Sequence, residues 1–374
     1  MPLLSRLPWF SLLAAVLLVL AGLAGIARGD DLYGGSPMLI RQLVWVAIST
    51  IVFLAATVVP YRRLKSWAYP SLLAAVVLLV LVLLMPARNG SRSWFALGPF
   101  TFQPSEFAKL AYVLALSRWL ISSRRIGSLR GLIVPVLMTL PPLVLILREP
   151  DLGTASIFVP VLFAMLFAAG ARTWHLAAVV IAGTIALPSV WTELSAEQKS
   201  RITAVFRQRD GGAPARGDDY HLHQSKQVIA LGGVWGSDLA GMPLAEAEAY
   251  HLPAARTDFV YCLVSERWGM AGAAGVLAAY FVLVAGALRI GAGTDDPFGR
   301  LICVGVATWL GTQVIINTGM TVGLVPITGI TLPLLSYGGS SMVATCAALG
   351  LIVNVTVRPG FEVRAPFSLS PQLA

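Results

Sequence analysis

Charged residues are scarce in this chain of 374 residues. Aspartate, glutamate, lysine and arginine together make up 12% of the sequence, whereas 57% of the residues are hydrophobic. So few charges argue against a water-soluble protein of ordinary composition. Apolar runs of about 20 residues recur along the whole length, as helices that cross the hydrocarbon core of a bilayer require. The composition therefore predicts an all-α polytopic membrane protein.

Cysteine is rare and sits in apolar surroundings. Cys262, Cys303 and Cys346 all fall in hydrophobic runs and lack the spacing of metal ligands. We predict that they are small buried hydrophobic residues. No glycine-rich phosphate loop follows a strand pattern, so the sequence shows no means of using ATP.

Two further motifs suggest chemistry but lack the companions that the chemistry needs. The serines of residues 336–341 have no Gly-x-Ser-x-Gly pattern and no histidine or second acid beside them. His221 and His223 alternate as in a strand and could face one ligand, but no cysteine or carboxylate cluster lies nearby. A serine nucleophile and a zinc site are therefore both disfavoured, and we predict no metal site.

We predict about ten transmembrane helices in a single domain covering residues 1–374. The spans are roughly 7–27, 40–58, 67–86, 104–121, 132–147, 154–171, 174–192, 262–288, 299–321 and 338–357. The first run could be a signal peptide, because Arg6 precedes a long apolar core. It has no clear small-residue cleavage site and a second span follows at once, so we predict a retained helix.

Basic residues indicate the orientation of the chain, because short cytoplasmic loops are enriched in lysine and arginine. With the N-terminus in the cytoplasm, thirteen basic residues lie inside: Arg6, Arg62, Arg63, Lys65, Arg118, Arg124, Arg125, Arg130, Arg172, Arg289, Arg300, Arg358 and Arg364. Five lie in the short outer loops: Arg28, Arg41, Arg88, Arg92 and Arg148. We predict that both termini are cytoplasmic. This bias explains much of the net charge of +9 without a nucleic-acid partner.

The long polar segment at about residues 193–260, between helices 7 and 8, is then extracytoplasmic. Segments of this length are usually functional or disordered. Its first half, Arg207 to Asp219, is rich in glycine and charge and is predicted to be mobile. Residues 220–231 are amphipathic, end at the glycines of residues 232–236, and are predicted to lie at the membrane surface.

The last outer loop, Gly323 to Gly339, has no charge and many glycines and prolines. Non-helical backbone at membrane depth survives only where it is buried in protein or faces a wet cavity. The loop is therefore predicted to be re-entrant or packed beside a site.

Asp258, at the mouth of the eighth span, is the first candidate for chemistry. A carboxylate near lipid costs several kcal/mol unless it is paired or hydrated, so it is either compensated or functional. The alternative to a functional role is an exposed aspartate paired with Arg256.

Several motifs resemble one family. They are Arg41-Gln-Leu-Val-Trp45, Gly90-Ser-Arg-Ser-Trp94, Gln103-Pro-Ser-Glu-Phe-Ala-Lys109, Glu149-Pro-Asp-Leu-Gly-Thr154, Tyr220-His-Leu-His-Gln-Ser225, Arg256-Thr-Asp-Phe259, Asn317-Thr-Gly-Met320 and Pro333-Leu-Leu-Ser-Tyr-Gly-Gly-Ser340. Their order and spacing resemble the SEDS family (shape, elongation, division and sporulation) from about residue 40 to residue 358. The stretches Pro150 to Thr154 and Tyr220 to Lys226 look more like the elongation member RodA than the division member FtsW.

The resemblance implies an inverting peptidoglycan glycosyltransferase that polymerises lipid II at the outer face of the bacterial cytoplasmic membrane, for elongation and cell shape. It implies that Asp258 is the general base. The implied partners are lipid II, a class B penicillin-binding protein and other cell-wall elongation proteins. No cofactor is required by the pattern, although Mg²⁺ or Mn²⁺ could assist at the pyrophosphate.

Further candidate substrate-binding residues lie within the motifs. Glu106 and Lys109 share one helix face at a spacing of three residues, and the alternative is a structural ion pair. Arg41 and Arg92, with Arg148, could clamp a pyrophosphate or extend to phospholipid headgroups. The remaining candidates are Gln224, Ser336 and Ser340.

The chain departs from the family pattern around Asp258. Arg256 replaces a histidine, Ala254 replaces a glutamate, and residues 231–238 alter a glycine-rich run. A different class of function, a transporter or flippase of a lipid-linked precursor, stays open. Such a protein should carry titratable or cationic groups deep in its spans, where the sequence has almost none.

Overall fold

Ten long helices form the body of the molecule in the computed structural model, which describes residues 6–33, 37–87, 91–98, 100–123, 126–206, 218–240 and 252–358. Their bounds are α1 Trp9–Tyr33, α2 Met38–Val58, α3 Leu64–Leu83, α4 Pro104–Ser122, α5 Leu129–Arg148, α6 Leu152–Ala168, α7 Thr173–Glu193, α11 Val260–Ala292, α12 Pro297–Val322 and α13 Gly339–Val357. All ten coincide with predicted spans, so the all-α polytopic fold is confirmed.

Seven stretches of the described chain are long and apolar enough to cross a membrane by length and composition: α1, α2, Tyr61–Leu83, α5, α11, α12 and α13. Helices α6 and α7 supply shorter apolar stretches. Helix α4 falls outside this group because Glu106, Lys109 and Arg118 interrupt it. The same helix is nevertheless among the most buried, since protein rather than lipid surrounds its charged residues.

The segment between α7 and α11 is largely helical where it is described. It contains α8 Ala196–Phe206, α9 Asp218–Gly232 and α10 Ser237–Ala240. The predicted strand at His221 and His223 is wrong, because both residues lie on α9. Residues 207–217, which make up most of the stretch predicted to be mobile, lie outside the described residues. Four of the basic residues used to predict the orientation also lie outside them: Arg88, Arg124, Arg125 and Arg364.

Helix α9 packs against α11 and α12, and its predicted place at the membrane surface stays a prediction. The Ser225 hydroxyl donates to the Thr321 carbonyl on α12 at 2.9 Å, and Leu222 and Val228 are buried in a small apolar cluster. The amphipathic face of this helix is thus covered by protein.

Gly232, at the end of α9, and the glycines that follow it contact α11 at a kink in that helix. Gly269 has a φ of 62°, and the Met270 amide donates to the Gly233 carbonyl at 3.1 Å. A Cβ at Gly232 would lie 2.1 Å from the Ser265 carbonyl oxygen, and one at Gly236 would lie 2.2 Å from that of Arg267. The run that departs from the family pattern therefore keeps glycine where it touches α11.

The loop between α12 and α13 is packed inside the protein, as predicted. Ile330, Leu332, Leu334 and Leu335 are buried, and the Tyr280 hydroxyl donates to the Pro333 carbonyl. Before α4, the short strands β1 Phe95–Leu97 and β2 Phe100–Phe102 form an antiparallel hairpin.

The cysteine prediction holds for two of the three residues. Cys262 and Cys303 are fully buried, whereas Cys346 is only partly buried. Cys346 lines an apolar cavity of about 350 Å³ between α1, α2, α11 and α13.

Candidate functional site

Asp258 lies at the end of a tight turn that leads into α11. Ala254 has a φ of 57°, and its carbonyl accepts hydrogen bonds from the amides of Thr257 and Asp258 at 3.1 and 3.0 Å. Pro253 precedes this turn and Val260 begins the helix. The carboxylate is therefore presented from a short, defined corner rather than from a long loop.

The backbone of Asp258 is fixed by α12. Asn317 donates one hydrogen bond to the Asp258 carbonyl at 2.8 Å and another to the Ile330 carbonyl at 2.6 Å. The Asn317 side chain thus ties the turn at residues 254–258 to the packed loop before α13. The motif containing Asn317 was recognised in the sequence, but its role as a tie was not predicted.

Arg201 brings a positive charge toward Asp258 from α8. A Cβ on Gly329, whose φ is 69°, would lie 3.5 Å from Asp258 Oδ2 and 4.0 Å from Arg201 Nη1. Arg201 also forms an ion pair with Glu197 at 2.6 Å. Sequence reasoning missed Arg201; the only local signal was the spacing of four residues between Glu197 and Arg201.

The environment of Asp258 raises the pKa of its carboxyl to about 6. Burial is the main cause, and the nearby Asp151 carboxylate adds to it. The Thr257 hydroxyl and the Arg201 guanidinium act in the opposite direction. A carboxyl with such a pKa is mostly ionised at neutral pH and is a stronger base than an ordinary aspartate.

Arg256, the proposed structural partner of Asp258, instead forms an ion pair with Asp30 on α1, with Arg256 Nη1 2.7 Å from Asp30 Oδ1. The alternative reading, in which Asp258 is an exposed partner of Arg256, does not match this geometry.

Glu106 and Lys109 form a buried pair, with 3% and 2% of their side chains exposed and 2.8 Å between Oε1 and Nζ. Lys109 also donates to Gln313 Oε1 at 3.1 Å and lies 4.9 Å from the centre of the Trp309 ring. Glu106 Oε2 has no hydrogen-bond partner among the described residues. The pair thus joins α4 to α12 and leaves one carboxylate oxygen unused.

Asp151 interacts electrostatically with two other acidic residues, Glu106 and Asp258. Its Oδ1 accepts from the Thr154 amide at 2.9 Å, capping α6. Burial and the Glu106 carboxylate raise the pKa of Asp151, while the Thr154 amide and Lys109 oppose them. Asp151 therefore interacts electrostatically with Asp258 and, separately, with Glu106 and Lys109.

Ser336 and Ser340 are buried and hold backbone in place. The Ser336 hydroxyl accepts from the Leu332 amide at 2.8 Å, and the Ser340 hydroxyl accepts from the Gln103 amide at 3.0 Å. Gln224 is also buried, and its Oε1 has no hydrogen-bond partner in the described chain.

Arg41 and Arg92 are exposed. Arg92 Nη1 donates to the Leu83 carbonyl at 3.3 Å. Within the described residues, neither side chain makes a hydrogen bond or ion pair with Asp258, Glu106 or Lys109. Their predicted contact with pyrophosphate stays a prediction.

Comparison with known proteins identifies the family. The cell cycle protein family FtsW/RodA/SpoVE matches residues 5–359. The stage V sporulation protein E of Bacillus subtilis is 35% identical over 321 residues, covering 84% of this chain and 86% of that protein. A protein named "Probable peptidoglycan glycosyltransferase FtsW" from Nitrosococcus halophilus is 33% identical over 356 residues, covering 92% and 89%.

Solved structures agree with this assignment. The crystal structure of the rod shape determining protein RodA from Thermus thermophilus has a TM-score of 0.68 at 31% identity, covering 93% of this chain and 97% of that one. A chain from a structure entitled "Structural coordination of polymerization and crosslinking by a peptidoglycan synthase complex" has a TM-score of 0.76 at 34% identity, covering 91% and 96%. The chain therefore belongs to the FtsW/RodA/SpoVE family of cell cycle proteins, the SEDS family of multi-pass bacterial membrane proteins.

Proposed function

We propose that this protein is a peptidoglycan glycosyltransferase that polymerises lipid II at the outer face of the cytoplasmic membrane. The observation that carries the proposal is the partly buried Asp258 carboxylate, which has a raised pKa and faces Arg201. The names of the relatives support the reaction class, since several are named "Probable peptidoglycan glycosyltransferase FtsW".

In the proposed reaction, two lipid II molecules meet beside Asp258. The Asp258 carboxylate takes the proton of the acceptor GlcNAc hydroxyl as that oxygen attacks the anomeric carbon of the donor MurNAc. The bond from that carbon to the pyrophosphate breaks, and undecaprenyl pyrophosphate leaves with the electron pair. One base is sufficient, because the donor carries its own leaving group.

The neighbouring charges have separate parts in this proposal. Arg201 stabilises the ionised form of Asp258 and keeps it ready to accept a proton. Lys109, held by Glu106 and Gln313, supplies positive charge for the developing pyrophosphate. Arg41, Arg92, Gln224, Ser336 and Ser340 remain candidate substrate contacts.

A divalent cation is a secondary prediction. The described residues contain no group of three or more histidines, cysteines, aspartates or glutamates that could hold a metal. Mg²⁺ often shares one or two carboxylates with substrate phosphates. We therefore expect Mg²⁺ or Mn²⁺, if it takes part, to arrive with the pyrophosphate.

The flippase alternative receives little support from the spans. Their buried acidic groups are paired, Glu106 with Lys109 and Glu266 with Arg28 at 2.9 Å. A translocation path requires charges that can exchange partners along the span. An ATP-independent polymerisation assay separates the two functions directly.

The biological role within the family is also a proposal. Motifs at residues 150–154 and 220–226 favour elongation, whereas the names of the relatives favour division or sporulation. Rescue of cell shape or of septation, in strains depleted of one function, would separate these roles. The structure of a peptidoglycan synthase complex supports a class B penicillin-binding protein as partner.

The central test is polymerisation of purified lipid II by the purified protein without ATP. We expect Asp258→Asn to lower the rate by about 10²–10⁴-fold, the usual loss for a general base. Asp295→Asn, which changes an exposed aspartate between α11 and α12, is the matched control and should keep full activity. Near-normal turnover by Asp258→Asn would disprove the assignment of the base.

A further inference from the structure

Arg256 connects the catalytic turn to the corner between α1 and α2. Its Nη1 lies 2.7 Å from Asp30 Oδ1, and both side chains are mostly buried, at 17% and 18% exposure. The second carboxylate oxygen, Asp30 Oδ2, accepts from the Leu39 amide at 2.9 Å. Asp30 therefore binds the turn with one oxygen and the start of α2 with the other.

The fit between these elements is close. A Cβ at Gly29 would lie 2.5 Å from Arg256 Cγ, so the arginine stem lies flat on the α1 backbone. The Arg256 carbonyl accepts from the Tyr337 amide at 3.0 Å, which ties the same residue to the loop before α13. Arg256 is thus held through its side chain and its backbone by elements far apart in the sequence.

Asp258 lies two residues farther along this turn. Its own carbonyl is tied to Asn317, and its amide to Ala254. The turn contains a non-glycine residue, Ala254, with a positive φ, a conformation that persists only when its surroundings enforce it. The Arg256–Asp30 ion pair holds the residue two positions after Ala254 in this turn.

We propose that the Arg256–Asp30 ion pair is a positioning device for Asp258, which sets the direction and the burial of the catalytic carboxylate from α1. This inference rests on the proposed function. The proposal also explains why arginine replaces the family's histidine at position 256: the long arginine side chain reaches Asp30 on α1.

Loss of the ion pair would let the turn relax and let more water reach the partly buried Asp258 carboxyl. Two effects follow. The base would be misplaced, which can cost about 10- to 100-fold in rate. The pKa of Asp258 would also fall toward its ordinary range, because burial is the main reason for its elevation. Arg201 and Asp151, the other charged groups facing Asp258, would be unchanged.

The test compares Arg256→Gln, Arg256→Lys and Asp30→Asn in full-length protein. Asp30→Asn keeps an oxygen for the Leu39 amide, and Arg256→Lys keeps the positive charge. Asp31→Asn is the control, since it alters the adjacent but exposed carboxylate. Lipid II polymerisation is measured from about pH 5 to about pH 8, across the expected titration of the base, together with the thermal midpoint in detergent.

We expect Arg256→Gln and Asp30→Asn each to lower the maximal rate by roughly tenfold or more and to move the acidic limb of the pH–rate profile to lower pH. The double variant should be no worse than the worse single variant, since both remove one interaction. Arg256→Lys should lie between these variants and the wild type.

A rate loss matched by loss of folded protein, with an unmoved acidic limb, would overturn the inference in favour of a purely structural pair. Additive losses in the double variant would overturn it as well. Failure of the proposed function would look different, because the wild-type protein itself would then not polymerise lipid II.

Discussion

At the scale of single residues, Asp258 is subject to opposing influences. Burial and Asp151 favour the protonated carboxyl, whereas Thr257 and Arg201 favour the carboxylate. The net result is a pKa of about 6, so the base is available at neutral pH. The activity should therefore be limited by protonation only on the acidic side.

This balance predicts the pH dependence of polymerisation. In the wild type the rate should fall as the pH drops through about 6. Arg201→Gln removes a positive charge that favours the carboxylate, so the pKa of Asp258 should rise and the acidic limb should move to higher pH. Rates measured over a pH series test this, with Arg130→Gln, an exposed change on α5, as control. A limb that moved to lower pH would contradict the assigned role of Arg201.

The sequence predicted part of this site. Asp258 and the Glu106–Lys109 pair could be found because a charge beside or within an apolar run requires an explanation. Arg201 could not, because it lies in a polar segment where charge is ordinary, and only the packing of α8 brings it toward Asp258. Arg41 and Arg92 are exposed, so their predicted contact with substrate rests on the sequence motifs alone.

At the scale of elements, α4 and α12 are joined by polar groups. Lys109 and the Trp309 ring nitrogen both donate to Gln313 Oε1, and Gln313 Nε2 donates to the Thr331 carbonyl at 2.7 Å. The geometry therefore favours a cation at position 109 over an anion.

The reciprocal exchange Glu106→Lys with Lys109→Glu tests this junction. Each single change leaves buried charge unpaired and should cost about 3–5 kcal/mol. The exchange restores the pair but turns a carboxylate toward Gln313 Oε1, so it should recover only part of the thermal stability and little polymerisation. Thermal unfolding in detergent and the lipid II assay measure both. Full recovery of both properties would show that the pair is only scaffold.

Helix α1 presses against the loop before α13 at Gly22. A Cβ there would lie 2.3 Å from the Leu335 carbonyl oxygen. Gly22→Ala should destabilise the protein by about 1–3 kcal/mol through overpacking, although alanine is the better helix former. Gly183→Ala in α7, where nothing lies within 4 Å, is the control and should be neutral or stabilising. Equal thermal midpoints for the two variants would contradict the close contact.

The elements themselves were largely predictable, for a physical reason. An apolar run near 20 residues has few structures open to it in lipid, because its backbone must bond to itself. The segment between α7 and α11 lacks that constraint. Its alternating histidines at 221 and 223 suggested a strand. The segment instead forms helix α9, whose apolar face is buried by packing against α11 and α12.

At the scale of the whole molecule, ten membrane-crossing helices would place both ends of the chain on the same side of the membrane, and the charge bias predicts that this side is the cytoplasm. In a background with the three cysteines replaced by alanine, Asp238→Cys should react with an impermeant maleimide from outside. Gly127→Cys and Asp295→Cys should react only after the membrane is opened. All three positions are exposed. Reversed labelling would place Asp258 in the cytoplasm and remove the argument for a lipid-linked donor.

The scattered origin of the contacts around Asp258 has a consequence for how the protein is made. Arg256 is held by Asp30 on α1 and by Tyr337, which lies two residues before α13. Asn317 and Gly329 also follow Asp258 in the sequence. A chain still emerging from the ribosome has inserted α1 long before these residues exist, since synthesis runs at about 5–20 residues per second. These contacts around Asp258 therefore cannot form until the chain has been synthesised as far as Tyr337.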